Sequence, residues 1–266
     1  MVGLRRAAGY LALVAVLATT AHAGPRAVSM ATTARTHVAA LTPAHNSYAA
    51  PSTIWWDADG ALHAATQCGG YLALLTTATF PAVTAAVLRS LTGSTAPHSA
   101  QWHAAISRAA HTVVRGRHVG LVGRARAADI VPGDILAAAY TTDDVHGHTM
   151  VVGGARLDRA GVTSSIPGQP TVDRWRVEVY DSTSTPHGAT DSRWRGDDGA
   201  HDQGIGRGEI YVFAATATGT IVGWTWSLTS TTVFQGTAPT DADYRPLVAG
   251  AFELAQAAAG GPAIGD

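Results

Sequence analysis

Gln67-Cys68-Gly69-Gly70-Tyr71-Leu72-Ala73-Leu74-Leu75 is the stretch on which the reading of this chain turns. A polar residue and a cysteine give way, through two glycines, to an apolar run that predicts a buried helix opening at the cysteine. A thiol at a helix start lies among free backbone N–H groups at the positive end of the helix dipole, which favours the thiolate. Working outward, residues 81–91 place Val83, Val87, Leu88 and Leu91 at helical spacing, and residues 101–114 read as a further helix. Strand signals follow. Residues 134–140 come after the turn Val131-Pro132-Gly133, and residues 149–155 form an apolar run. Residues 175–180 alternate Trp175, Val177 and Val179 with polar neighbours. Residues 208–215 and 220–227 read as a hairpin through Gly219. Residues 246–259 read as a closing helix, with a proline in the first turn and Gly260-Gly261 after it. Helices first and an antiparallel sheet after them predict an α+β fold.

Composition limits the alternatives. Of the 266 residues 46% are hydrophobic and 14% charged, enough apolar material for a sizeable core. Eighteen basic residues, all arginine, face nineteen acidic ones, so the strong positive field of a nucleic-acid binder is missing. Residues 1–23 carry Arg5 and Arg6, an apolar run over 10–18 and Ala21-His22-Ala23, the pattern of a secretory signal peptide cleaved after Ala23. The expectation is an exported protein, secreted or held in the periplasm or cell envelope, with no membrane span after cleavage. A retained N-terminal anchor is the alternative. Residues 24–50, rich in Ala, Thr, Ser and Pro, read as a lead-in, and residues 51–260 as one domain. Cys68 is the only cysteine, so no intramolecular disulfide can form, and export makes a lone thiol a liability unless it is buried or reactive.

A reactive thiol needs a base, and the base needs an orienting polar group. His148 opens the strand that starts near Thr149, and Asp181 ends the strand containing Val177 to Tyr180. Neighbouring antiparallel strands can set the two side by side. Asp158 competes for the third role, but it lies in Asp158-Arg159-Ala160-Gly161, which reads as a solvent-facing turn. Gln67 is a candidate oxyanion donor. His187, with Asp191 and Arg193, is expected on the rim of the site, and Trp55 and Trp56 could border a cleft.

Three pieces together carry a family resemblance. They are Gln67-Cys68-Gly69-Gly70, Val131-Pro132-Gly133-Asp134-Ile135-Leu136 and Gly147-His148-Thr149-Met150-Val151-Val152-Gly153. Their order resembles the papain-like cell-wall cysteine hydrolases of the NlpC and CHAP type, over residues 55–154 and more loosely to 182. The resemblance implies a papain-like arrangement, in which N-terminal helices, the first carrying the cysteine, pack on an antiparallel sheet. It also implies Cys68 as nucleophile, His148 as base, and an amide bond of peptidoglycan peptides as substrate, with no cofactor or metal. The chain departs from the family in having Gln67 where an aspartate is usual, and in its long interval from cysteine to histidine.

Two other classes compete. His146 and His148 form a His-x-His pair that, with Asp181 or His187, could bind zinc in a metal-dependent hydrolase. Alternatively the protein is an exported binding module without catalysis. The glycines in Asp202-Gln203-Gly204-Ile205-Gly206-Arg207-Gly208 precede a strand rather than a helix, so no nucleotide site is expected there.

Overall fold

The computed structural model describes residues 25–114, 117–140, 147–196, 199–236 and 243–254. The signal-peptide segment, His146 and the end of the expected closing helix lie outside them.

The chain opens with helix α1 (Pro25–Ala40) and runs directly into β1 (Leu41–Tyr48). Strands β2 (Thr53–Trp56) and β3 (Leu62–Thr66) complete a small sheet in the order β1-β3-β2, with β1 parallel and β2 antiparallel to β3. Then come α2 (Cys68–Thr79), α3 (Ala85–Thr92) and α4 (Ser99–Ser107). The rest is almost all strand: β4 (His111–Val114), β5 (Arg117–Arg124), β6 (Ile135–Ala138), β7 (His148–Thr163), β8 (Thr171–Thr183), β9 (Gly204–Ala215), β10 (Ile221–Trp224), β11 (Phe234–Gln235) and β12 (Leu247–Leu254). These nine strands form one sheet, ordered β11-β10-β9-β8-β7-β6-β12-β5-β4, and every pairing in it is antiparallel. An isolated bridge between Arg126 and Thr220 ties the β5 side of the sheet to the β9–β10 turn, so the sheet curls.

The middle of the sheet is buried on both faces, and strand alternation assigns each residue there to one of them. On the outer face Ile135, Ala137, Val151, Tyr180 and Ile205 pack beneath the helices with Met30, Leu72, Leu75, Leu88 and Trp102. On the inner face of the curl Leu136, Ala138, Met150, Val152, Val177, Val179, Ile210, Val212 and Trp224 form a second core. All four residues of β6 are buried, as expected of a strand enclosed on both sides.

This architecture corrects the α+β, papain-like expectation. Strands predominate, a helix and a three-stranded sheet precede the cysteine-bearing helix, and the nine-stranded sheet carries its own core on the face away from the helices. The physical reason lies in three segments whose local pattern differs from their structure. Residues 24–50 are not a loose lead-in: α1 begins with a proline in its first position and buries Met30 and Ala34, with Val38 packed against the same core. Threonine-rich composition hides this stripe of every fourth residue. Residues 247–254 form β12, not a helix, because β5 and β6 pair with the segment on both edges. Gly250 lets Ile106 of α4 close on the backbone of β12, since a Cβ there would lie 2.6 Å from Ile106 Cγ2. Tertiary pairing overrides the helical propensity of an alanine-rich run. Residues 101–114 likewise divide into the end of α4 and β4. Among the described residues no helix is long and apolar enough to cross a membrane.

The two-faced sheet makes a testable demand. Ile135 and Leu136 are both fully buried and point into different cores. Ile135→Ala and Leu136→Ala should each lower the unfolding free energy in urea by about 2–5 kcal/mol. In a sheet with one solvated face, one of the two would be nearly silent.

Candidate active site

Cys68 is the first residue of α2, and the first intrahelical bond runs from Tyr71 N–H to Gln67 C=O at 2.7 Å. The N–H groups of the opening turn therefore face the thiol end with no helical carbonyl to take them. The two glycines that follow have steric roles. A Cβ on Gly69 would lie 2.5 Å from Pro97 O, and one on Gly70 would collide with Ser52 Oγ. Their absence lets the chain before β2 and the chain before α4 close on the helix start. Ser99, the first residue of α4, sets its hydroxyl 3.3 Å from Cys68 Sγ, so a second helix start meets the same sulfur. Gly147 O lies 3.9 Å from Sγ, and the Thr149 N–H and the half-buried Tyr48 hydroxyl also interact with it.

His148 is the first residue of β7, paired with Ala138. Val151 pairs with Tyr180, and continuing that register puts Asp181 across from Met150, on the same face as His148 and diagonal to it. The side chains meet: His148 Nε2 lies 2.5 Å from Asp181 Oδ2. With Nε2 engaged, the other ring nitrogen is left for the sulfur. Burial alone would raise the thiol, but the imidazole, Ser99 and the Thr149 amide outweigh it and bring Cys68 down to about 7. Burial alone would likewise lower His148, but Asp181 and the sulfur raise it to about 9. Both shifts run in the direction that favours a thiolate–imidazolium pair.

Asp181 is completely buried, and burial opposes its charge; Arg193, His187 and His148 overcome that and hold it well below the usual carboxylate range. Oδ2 accepts from His148 and, at 2.8 Å, from His187 Nε2, while Oδ1 accepts from Arg193 Nη2 at 2.8 Å. His187 Nδ1 donates to the Trp226 carbonyl at 2.5 Å. Arg193 continues the network to both oxygens of Asp191 and to Gly204 O, and Asp191 accepts the His187 backbone N–H. Trp226 packs against both imidazoles, with ring centroids 4.8 Å from His148 and 4.3 Å from His187.

Glycine spacing makes room for this network. Gly206 and Gly208 lie on one face of β9, where a Cβ would come within 2.5 Å of Arg193 Nε and of His187 Cδ2 respectively. The glycine-rich run is thus the start of a strand whose bare face receives two side chains.

The site differs in part from the expected one. Cys68, His148 and Asp181 are brought together, whereas Asp158 sits on a partly exposed stretch of β7, bonded to Arg174. Gln67 is exposed beside Cys68 and lines the cleft in front of it. His187, Asp191 and Arg193 form no rim, because all three are buried behind Asp181. Trp55 and Trp56 remain exposed on β2, where Trp55 stacks on His63, away from the lining of that cleft. Ser99, Tyr48 and Trp226 escaped sequence reasoning. The signal for Ser99 was Pro97-His98-Ser99 opening a helix, which reads as a cap rather than as a contact to a distant thiol.

His148, Asp181 and His187 group as a cation-binding set would. However, zinc holds its ligands at about 2.0–2.2 Å in a tetrahedron, which puts ligand atoms roughly 3.3 Å apart. Here both imidazole nitrogens contact one carboxylate oxygen at 2.5 and 2.8 Å, and Arg193 occupies the other oxygen. The residues present make a hydrogen-bonded charge network and do not fit a metal.

No family model matches the chain and no solved structure matches it. It is similar to the uncharacterized protein R653 of Acanthamoeba polyphaga mimivirus, 29% identical over 132 residues, which cover 46% of this chain and 53% of that protein. The chain thus spans about half the length of that relative.

Two outcomes follow from the electrostatics. The thiolate absorbance of Cys68 should rise with a midpoint near pH 7. In His148→Ala burial acts unopposed by the imidazolium, so the midpoint should move above the free-thiol value of about 8.5. Arg193→Met leaves Asp181 and Asp191 buried without their guanidinium and should cost about 3–5 kcal/mol in urea unfolding. A loss below about 1 kcal/mol, as for a surface ion pair, would contradict a sealed network.

Proposed function

We propose that this protein is a cysteine hydrolase that cleaves an amide bond through Cys68, with His148 as base and Asp181 as its orienting partner. The observation that carries the reading is the 2.5 Å bond between His148 Nε2 and Asp181 Oδ2 beside a buried thiol at a helix start. A structural cysteine needs no such arrangement, because a buried inert thiol has its pKa raised rather than lowered.

The chemistry proceeds in two halves. The Cys68 thiolate attacks the carbonyl carbon, and the carbonyl electron pair moves to oxygen. That oxyanion is met by the Cys68 N–H and by the Gln67 side chain, if it swings in from the exposed cleft wall. On collapse, His148 gives its proton to the departing amine and an acyl thioester remains. A water then loses a proton to His148 and attacks the thioester, releasing the acid and restoring the ion pair. Asp181 stays ionised throughout, fixing the ring and balancing the imidazolium. The pairing of Cys68 with Gly147-His148 and the turn before Asp134 resemble the NlpC and CHAP cell-wall hydrolases, which makes peptidoglycan peptides one substrate class to test. The signal-like segment at residues 1–23 favours action outside the cytoplasm.

The test is release of new amino termini or shortened peptides from purified peptidoglycan and its stem peptides, read by mass spectrometry. Cys68→Ala should abolish it, and His148→Ala should lower kcat/KM by about a thousandfold or more, since nucleophile and base act as a unit. Asp181→Asn should cost less than His148→Ala, and Asp158→Asn should be silent. Full activity in Cys68→Ala would overturn the assignment.

A further inference from the structure

The thiol opens onto a cleft of about 700 Å³, and its walls say what can lie there. From Cys68 the cleft runs along α2 past Ala73 and Leu74 to Thr77, and ends against Ala85 and Leu88 of α3. Nine residues of helix correspond to about 14 Å, so the trough is long and starts at the nucleophile. Among the described residues that line it there is no Asp, Glu, Lys or Arg.

Two of its polar side chains already have partners within the protein. Thr77 Oγ1 donates to Leu74 O, and Ser52 Oγ accepts the Gln67 N–H at 3.0 Å. The trough floor is a helix, whose backbone groups are bonded internally. On the helix side an extended peptide would bring roughly one N–H and one C=O every 3.3–3.6 Å to a surface whose backbone groups are already bonded, a cost that recurs for each unpaired group. An alkyl chain brings none and gains burial along its whole length.

We infer that the α2–α3 trough binds the acyl half of the substrate, and that this half is an uncharged aliphatic chain. This rests on Cys68 being the nucleophile, and it turns the substrate away from charged cell-wall peptides toward fatty-acyl amides or esters. Ala85 is exposed and Thr77 half-buried at the far end of the trough, so a charge introduced there reaches the tail of a long ligand without touching the site at Cys68.

Irreversible labelling tests the trough without requiring turnover. Haloacetamides alkylate the Cys68 thiolate, the sulfur–carbon bond forming as iodide leaves. Four probes are compared on the full chain by intact mass: iodoacetamide, an N-octyl iodoacetamide, the same octyl probe ending in a carboxylate, and a peptide-bearing haloacetamide of equal length. The octyl probe should label at least about tenfold faster than its carboxylate analogue, because the carboxylate loses hydration without a partner. In Thr77→Arg that ratio should fall severalfold as the guanidinium meets the carboxylate, and Ala85→Arg should move it the same way. A ratio near one in the unmodified protein, or one unmoved in both variants, overturns the inference while leaving the nucleophile standing. A peptide-bearing haloacetamide of equal length that outruns the octyl probe also overturns it. Failure of iodoacetamide itself to label native Cys68 removes the hydrolase reading and this inference together.

Discussion

Everything at the thiol end depends on keeping one fully buried carboxylate charged. Asp181 achieves this with two imidazoles on one oxygen and a guanidinium on the other. Without Arg193 and His187, burial would favour protonation, and a protonated Asp181 could no longer hold up the imidazolium of His148. Loss of that cation would in turn leave burial to set the thiol. The order of dependence therefore runs from the loop arginine to the sheet carboxylate, then to the strand histidine, then to the sulfur.

The fold supports this order by division of labour. The nine-stranded sheet provides rigid positions for His148 and Asp181 on adjacent strands, fixed by a register that the two cores enforce from opposite sides. A slip by one residue would exchange the two cores and is excluded for that reason. The helices supply one of those two cores and also serve the sulfur: α2 carries it, and α4 brings Ser99 to it. The small sheet contributes Tyr48 from the end of β1.

The sequence carried this information unevenly. Central strands are legible because Trp175, Val177 and Val179 alternate, and a period of two survives any tertiary context. Cys68 and His148 could be picked out because each is the first residue of its element, and Asp181 because it lies near the end of its strand. The overall arrangement could not be read this way. Helix α1 hides its buried stripe among threonines, and β12 becomes a strand only because two neighbours pair with it. His187, Asp191 and Arg193 lie in a stretch rich in Ser, Thr, Pro and Gly, which reads as solvent-facing turn. Their burial depends on the next strand, β9, offering no side chains at Gly206 and Gly208 on the face they cover. Gly204, Gly206 and Gly208, two apart in a strand, were the available signal. Bare positions on one face of a strand mean that something else covers it.

That bare face has a consequence for how the protein can vary. On β9 the missing side chains are supplied in effect by His187 and Arg193, which arrive from the irregular segment between β8 and β9. The segment that connects two strands is thus part of the sheet's own packing, and it cannot be shortened, swapped or lengthened as surface connections usually can. Drift at the glycines and drift in the connection are bound together: neither partner can gain bulk unless the other gives it up. The least regular part of the chain is accordingly among the least free to change.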